Sequence, residues 1–182
     1  MYSRVDQAFE GIDLVVNNAG ISSEVYFLEA EEADFDRMTA IDWKGLFFSS
    51  QEAAKRMIGR GIKGVIINIS SNQVDGCWPR ATIYGPTKAA VSKFTKNAAM
   101  ELARYGIRMA AVAPGYTDVG WAPDDIRWEA AARLPFGRFA STREIAEAVA
   151  YLASEQAAYV TGTTLTVDGG ATLPVVAAND FV

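Results

Sequence analysis

The 182-residue chain contains no histidine and only one cysteine, Cys77. The absence of histidine excludes Ser–His–Asp triads, Cys–His dyads and histidine-ligated metal sites. A single cysteine can form neither an internal disulfide nor a cysteine-based zinc site. Any proton transfer must therefore use Tyr, Lys, Asp, Glu, Ser or Cys side chains.

Basic clusters and long apolar runs are missing as well. The net charge of −5 argues against nucleic acid or an anionic membrane as a partner. Residues 1–11 carry charges where a signal peptide has an apolar run, and no apolar stretch approaches the ~20 residues that span a bilayer. We therefore expect a cytoplasmic protein. Hydrophobic residues make up 50% of the chain, enough to bury a core in one domain, residues 1–182.

Strand-like and helix-like patterns alternate along the chain. Short apolar runs bounded by turn residues predict buried parallel strands at 12–16, 65–70, 107–114 and 161–170. Helical spacing predicts the end of a helix at 5–10, with Gly11 as its stop, and further helices at 31–59, 84–105 and 141–154. A Ser141–Glu144 capping box marks the start of the last helix. Residues 115–140 lack a clean period and predict a lid with short helices. This order predicts an α/β fold, a Rossmann-like parallel sheet with helices on both faces.

Ser71, Tyr84 and Lys88 form the most informative group of polar residues. Tyr84 and Lys88 are four residues apart at the start of a predicted helix and so share a face, although such pairs are common on solvated helices. Ser71 follows a buried strand, where ligands bind in open α/β sheets. A free phenol has a pKa of about 10, which a nearby ammonium lowers. The group suits hydride transfer to or from a carbonyl carbon, with Tyr84 exchanging a proton and Ser71 holding the oxygen.

Further segments accompany this group in a fixed order. They are IDLVVNNAG (12–20), INISS (67–71), YGPTKAAV (84–91), ELARYGIRMAAVAPGY (101–116) and AAYVTGTTLTVDGG (157–170). Together the segments resemble the short-chain dehydrogenase/reductase family over residues 5–170. The resemblance implies that the predicted strands are adjacent in chain order.

The resemblance also implies roles for individual residues. Tyr84 and Lys88 match the acid/base and helper of the YxxxK motif, and Lys88 would also bind the nicotinamide ribose. Ser71, rather than Ser70, matches the catalytic serine. The cofactor-binding positions implied by the resemblance are Asn18, Ala19, Gly20, Tyr84, Lys88, Pro114, Gly115 and Thr117. The cofactor would be NAD or NADP, and no metal site is expected.

Two positions depart from the family pattern. Many members have a helical asparagine in an N-x-x-G pattern that completes a catalytic tetrad, and here that place is taken by Asp42, with Gly45. We count Asp42 among the catalytic candidates and expect a different proton relay. The threonine that often follows the Pro-Gly turn is replaced by Val119, for which Thr117 is a candidate substitute.

The glycine-rich TGxxxGxG opening of the family is not found in these residues. The sequence therefore looks like the C-terminal three-quarters of the family fold, N-terminally truncated. We expect residues 1–182 alone to bind NAD(H) or NADP(H) weakly, because the pyrophosphate normally lies at the helix N-terminus that follows the glycine turn.

Three functions remain open from the sequence. The first is an NAD(P)-dependent oxidoreductase interconverting a small-molecule alcohol and ketone. The second is an inactive, truncated fragment that acts only through subunit association, and the third is a Ser–Lys hydrolase using Ser71 and Lys88, which lacks a GxSxG elbow.

We also expect a homo-oligomer, dimer or tetramer, with contacts at the helices around 35–58 and 84–105 and at VDGG (167–170). The substrate, the hydride direction and the choice between NAD and NADP are not fixed by the sequence.

Overall fold

A four-stranded parallel sheet forms the centre of the molecule. The computed structural model describes residues 2–22, 24–122 and 124–173. Its strands are β1 (Leu14–Asn17), β2 (Val65–Ile69), β3 (Arg108–Pro114), β4 (Thr117–Asp118), β5 (Ala140–Ser141) and β6 (Thr164–Val167). The main sheet has the order β1-β2-β3-β6, with all neighbours parallel. The predicted strands and their predicted adjacency are confirmed.

Helices connect the strands of this sheet. They are α1 (Tyr2–Ala8), α2 (Glu32–Met38), α3 (Leu46–Gly59), α4 (Tyr84–Leu102) and α5 (Thr142–Ala153). Short 3₁₀ helices lie at Phe27–Glu29, Asn72–Val74, Ala103–Tyr105, Ile126–Arg133 and Glu155–Ala157. Among the described residues, none of the helices is long and apolar enough to cross a bilayer.

Two hydrophobic clusters cover opposite faces of the sheet. One contains Met57 of α3, Ile66 of β2 and Met109 of β3, with Ala99 of α4. The other is built around Ile67 and Val112, with Leu152 of α5. Consecutive residues of β2 therefore point into different clusters, as the period of two in a strand requires. The prediction of helices on both faces is confirmed.

The helical region predicted at 31–59 is interrupted by a π-helical turn, Thr39–Gly45, between α2 and α3. The wider turn changes the helical phase, and it contains Asp42 with its side chain fully buried. Inserted π-turns occur often at functional sites. Sequence periodicity did not reveal this turn because apolar residues continue through it at steps of three and four.

The remaining differences lie in loops and termini. The region 115–140 contains the short parallel pair β4–β5, which the sequence did not predict, as well as the 3₁₀ helix of the expected lid. Cys77 is exposed, whereas a lone cysteine is more often a small buried residue. Two helix boundaries agree with the sequence: Gly106, with φ +71°, caps the 3₁₀ helix that continues α4, and Ser141 forms the capping box at the start of α5.

Candidate active site

The candidate residues lie at the carboxyl edge of the sheet, where β1, β2 and β3 end. Parallel strands all end at this edge, so the loops that follow them share one cavity of ≈ 700 Å³. This size is within the range of ordinary small-molecule sites. Of the proposed site residues, the cavity is lined by Asn18, Gly20, Asp42, Ser71, Tyr84, Lys88, Pro114, Gly115 and Thr117. Ala19 is exposed and does not line the cavity, in contrast to its expected place in the cofactor site.

Ser71 and Tyr84 meet inside this cavity. Ser71 caps the 3₁₀ helix that follows β2, and its Oγ accepts a hydrogen bond from the Gln73 N–H at 3.2 Å. Tyr84 is the first residue of α4, and its hydroxyl is hydrogen-bonded to the Ser71 side chain. The 12 residues between them thus fold back and bring the two hydroxyls together.

The side chain of the neighbouring Ser70 forms its hydrogen bonds on the opposite side of the chain from Ser71. Its Oγ donates to the Lys88 carbonyl at 3.0 Å and lies 2.7 Å from Ser92 Oγ. Ser70 therefore joins β2 to α4 through buried hydrogen bonds, whereas Ser71 faces Tyr84. This geometry supports Ser71 as the functional member of the pair.

Lys88 lies one turn after Tyr84 and is almost fully buried. Its Nζ donates to the Ile69 carbonyl at 3.2 Å and forms an ion pair with Asp42 Oδ2 at 3.0 Å. The Asp42 Oδ2 atom accepts no hydrogen bond of good geometry from the described residues, so the contact with Lys88 is mainly electrostatic. Asp42 Oδ1 accepts the Ile21 N–H at 2.8 Å.

The pKa of Tyr84 is raised above its usual value of 10.0. Burial is the largest cause, the hydrogen bond from Ser71 lowers the pKa, and the negative charge of Asp42 raises it. The net shift is therefore upward, whereas a nearby ammonium acts to lower the pKa of a phenol. In this structure Lys88 is paired with Asp42 and lies 5.5 Å from the centre of the phenol ring, above its face.

Hydrogen bonds between amide and hydroxyl side chains support the NNAG turn, residues 17–20. Asn17 Nδ2 donates to Ser50 Oγ and to Asn68 Oδ1, each at 2.9 Å. Asn68 in turn donates to Thr95 Oγ1 at 2.9 Å. These bonds link β1, β2, α3 and α4, and they place Asn18 and Gly20 at the rim of the cavity. Sequence reasoning identified the turn but not these supporting partners, which no local pattern brings together.

An aromatic group forms the outer wall of the cavity. Trp78 Nε1 donates to the Tyr116 hydroxyl at 3.0 Å, and the Tyr116 ring stacks on Phe139 at 5.2 Å. Trp121 meets Phe139 edge-on at 5.4 Å, and Trp128 stacks on the same ring at 5.0 Å. Phe139 is nearly fully buried at the centre of the group.

Comparisons with known proteins agree with this geometry. A family model described as enoyl-(acyl carrier protein) reductase matches residues 1–172. The 3-oxoacyl-[acyl-carrier-protein] reductase FabG of Thermotoga maritima is 38% identical over 172 residues, covering 92% of this chain and 69% of the relative.

Solved structures have the same fold. A 4-hydroxyisoleucine dehydrogenase complexed with NADH has a TM-score of 0.88 and 26% identity, covering 96% of this chain and 75% of that one. ElxO with NADP bound has a TM-score of 0.84 and 32% identity, covering 93% and 71%. The chain belongs to the short-chain dehydrogenase/reductase family. It is therefore classed among the oxidoreductases.

The Pro-Gly turn of this short-chain dehydrogenase/reductase shows why glycine is required after β3. A Cβ atom at Gly115 would lie 2.6 Å from Asp168 Cβ and 2.8 Å from its Cα. Any larger residue would push the turn away from β6. Thr117 is held near the turn, since its hydroxyl donates to the Gly115 carbonyl at 3.1 Å. Val119 lines the same cavity but has no polar group to offer.

The cavity also fits the nicotinamide half of a dinucleotide. A Cβ at Gly20 would lie 3.0 Å from Asp42 Oδ2 and 3.2 Å from Lys88 Nζ, so the glycine leaves open the approach to the ammonium. Of the three N–H donors of Lys88, one is hydrogen-bonded to the Ile69 carbonyl, and the ammonium also faces Asp42 in the ion pair. A donor therefore remains for a bound hydroxyl.

Proposed function

We propose that this chain is an NAD(P)-dependent oxidoreductase that interconverts an alcohol and a ketone. The observation that carries the proposal is the meeting of Ser71, Tyr84 and Lys88 in one cavity at the carboxyl edge of the sheet. The cofactor is NAD or NADP, in keeping with the NADH and NADP named for two related structures. A bound nicotinamide supplies or accepts the hydride.

The residues of the chain would hold the substrate and move the proton. Ser71 orients the substrate oxygen by a hydrogen bond, and the Tyr84 hydroxyl gives or takes the proton at that oxygen. Lys88 would bind the nicotinamide ribose through its remaining donor, while Pro114, Gly115 and Thr117 border the nicotinamide. Asn18 and Gly20 would contact the adenosine side. Because Trp78, Tyr116 and Trp121 line the cavity, we propose that the substrate has an apolar group beside its carbonyl.

The test of this function is turnover by the purified chain with a panel of ketones and alcohols, followed by nicotinamide absorbance. The assay uses millimolar cofactor so that cofactor affinity does not limit turnover. We expect Tyr84→Phe to reduce kcat by about 10²–10⁴-fold or more, since the proton donor is lost while the ring is retained. Circular dichroism checks that the variant is folded. Near-normal turnover in Tyr84→Phe, or no turnover in the wild type, would contradict the assignment.

We further propose a cytoplasmic homo-oligomer, dimer or tetramer, in which residues 1–182 form one domain of each subunit. A groove of ≈ 640 Å³ lies between α3 and α4 and supports this proposal. Trp43, Phe47, Ala54, Ala90, Phe94 and Ala98 are among its lining residues. An apolar groove between two helices of this kind is suited to a second copy of the same surface.

A further inference from the structure

The Asp42 carboxylate connects three segments of the active site. It lies in the π-helical turn, accepts the Ile21 N–H that follows the NNAG turn, and pairs with Lys88 of α4. The side chain of Asp42 has no exposed surface and that of Lys88 is 5% exposed. Water therefore screens this pair little, and each charge acts strongly on its neighbours.

The other charged groups around Tyr84 are paired or hydrogen-bonded. Across the mouth of the cavity, Arg80 and Glu24 form an ion pair of 2.9 Å. On the lid, Arg127 Nε donates to Asp125 Oδ1 at 2.8 Å. Asp168, behind Gly115, accepts hydrogen bonds from Asn72, Gly170 and Thr172. Lys88 is the cation that lies over the Tyr84 ring, 5.5 Å from its centroid, and it is paired with Asp42.

We infer that Asp42, by pairing with Lys88, keeps Tyr84 protonated and so makes this site a proton donor for carbonyl reduction. The inference rests on the proposed function. In the balanced step, the carbonyl carbon gains a hydride from reduced nicotinamide, the carbonyl oxygen gains the Tyr84 proton, and the phenolate then recovers a proton from water. Oxidation of the alcohol needs the phenolate first, so it requires a higher pH.

The sign of the pH dependence follows from the charges. Burial and the Asp42 charge both raise the pKa of Tyr84, against the lowering effect of the Ser71 hydrogen bond. Reduction therefore continues to higher pH, and oxidation begins at higher pH, than with an unperturbed phenol. Asp42→Asn removes one negative charge and leaves the Lys88 cation unneutralised. The loss of this charge favours the phenolate and lowers the pKa of Tyr84.

The decisive experiment is a direct titration of Tyr84 by NMR of protein labelled with ¹³C at tyrosine Cζ. Tyr84→Phe assigns the resonance. In the wild type we expect the Tyr84 midpoint to lie above that of an ordinary tyrosine, and in Asp42→Asn we expect it to fall by about one pH unit. Asp36→Asn is the matched control, because it removes the same charge from an exposed position on α2 and should leave the midpoint unchanged. An equal midpoint in wild type and Asp42→Asn would overturn the inference.

Turnover supplies the second readout. The pH midpoint of alcohol oxidation should shift down in Asp42→Asn by the same amount as the titration, while Asp42→Glu, which keeps the carboxylate, should retain the alkaline midpoint even if kcat falls. A fall in kcat at every pH with a fixed midpoint indicates a purely structural role and overturns the inference. A wild type that titrates as expected but has no activity overturns the proposed function and with it the catalytic role of the pair, whereas the charge coupling itself stands.

Discussion

Adjacent residues of identical type have different environments in this site. Ser70 and Ser71 both follow β2, yet their side chains point to opposite sides of the chain because the backbone there is extended. One side meets the backbone of α4 and Ser92, and the other opens to the cavity and Tyr84. Position in the strand, rather than residue type, therefore separates a structural hydroxyl from a functional one.

This difference predicts opposite effects for two alanine substitutions. Ser71→Ala should reduce kcat/KM about 10²-fold or more with little change in the melting temperature, because the substrate oxygen and Tyr84 lose a partner. Ser70→Ala should lower the free energy of unfolding by about 1–3 kcal/mol, because it removes buried hydrogen bonds. Steady-state kinetics and thermal unfolding of both variants provide the measurements. If Ser70→Ala were the more damaging to turnover in well-folded protein, the assignment of the two serines would be reversed.

At the scale of elements, short interruptions of regular structure determine the site. The π-helical turn between α2 and α3 turns the buried Asp42 toward Lys88, and the 3₁₀ helix capped by Ser71 leads the chain from β2 into the loop before α4. The lid brings its aromatic side chains over the cavity through the short β4–β5 pair, in which Thr117 pairs with Ala140. The helices and strands around these interruptions form the rigid support.

The start of α5 is an element whose stability can be measured independently of catalysis. Ser141 Oγ accepts the Glu144 N–H at 3.2 Å, and a Glu144 carboxylate oxygen accepts the Ser141 N–H at 2.8 Å. Ser141→Ala should cost about 0.5–2 kcal/mol, because the capping bond is lost. Arg143→Ala is the control, since it removes only an exposed ion pair with Glu147 and should have little effect. Thermal unfolding distinguishes the two, and equal melting temperatures for the variants would contradict the role of the cap.

The same cap carries a pH dependence. The hydrogen bond from the Arg138 guanidinium, with further bonds from Ser141, lowers the pKa of Glu144 from 4.5 to about 2. Because the folded pKa is depressed, the stabilisation is fully present above pH 4.5 and is lost as the pH falls toward 2. The Glu144 side chain is 41% exposed, so salt should weaken this contribution.

At the scale of the whole molecule, the two faces of the sheet have different outer surfaces. Among the described residues, α5 packs on one face of the sheet, whereas α3 and α4 on the other face leave an apolar groove between them. Phe94 of α4 packs against Trp43 and Phe47 at centroid distances of 5.3 and 5.1 Å, which gives the groove an aromatic floor. This surface is the reason for placing the subunit contact there.

We predict that light scattering of the purified chain gives the mass of a dimer or tetramer, and that Ala90→Arg reduces it toward that of the monomer. Ala90 is a small residue lining the groove, and arginine there would put an unpaired charge into the contact. Ala33→Arg is the matched control, an identical substitution at an exposed position of α2 outside the groove. A monomeric wild type at working concentration, or an Ala90→Arg oligomer of unchanged mass, would argue against this contact.

Much of the fold could be predicted because its determinants are local. The apolar runs, the helix ended by Gly106 and the capping box at Ser141 each depend on neighbours in the sequence, and the strand order followed from the family resemblance. The π-helical turn and the β4–β5 pair could not be predicted, because tertiary contacts select them against equally plausible local alternatives.

The sequence by itself determined which groups are available to the chemistry. With no histidine, a proton must pass through residues such as Tyr84, and the spacing of Tyr84 and Lys88 places both on one helical face. Only the tertiary structure decided which charges surround these groups. Lys88 meets Asp42, which lies 46 residues earlier in the chain, and the two are buried together. A pKa depends on burial and on charges that are close in space, and neither can be read from separations along the sequence.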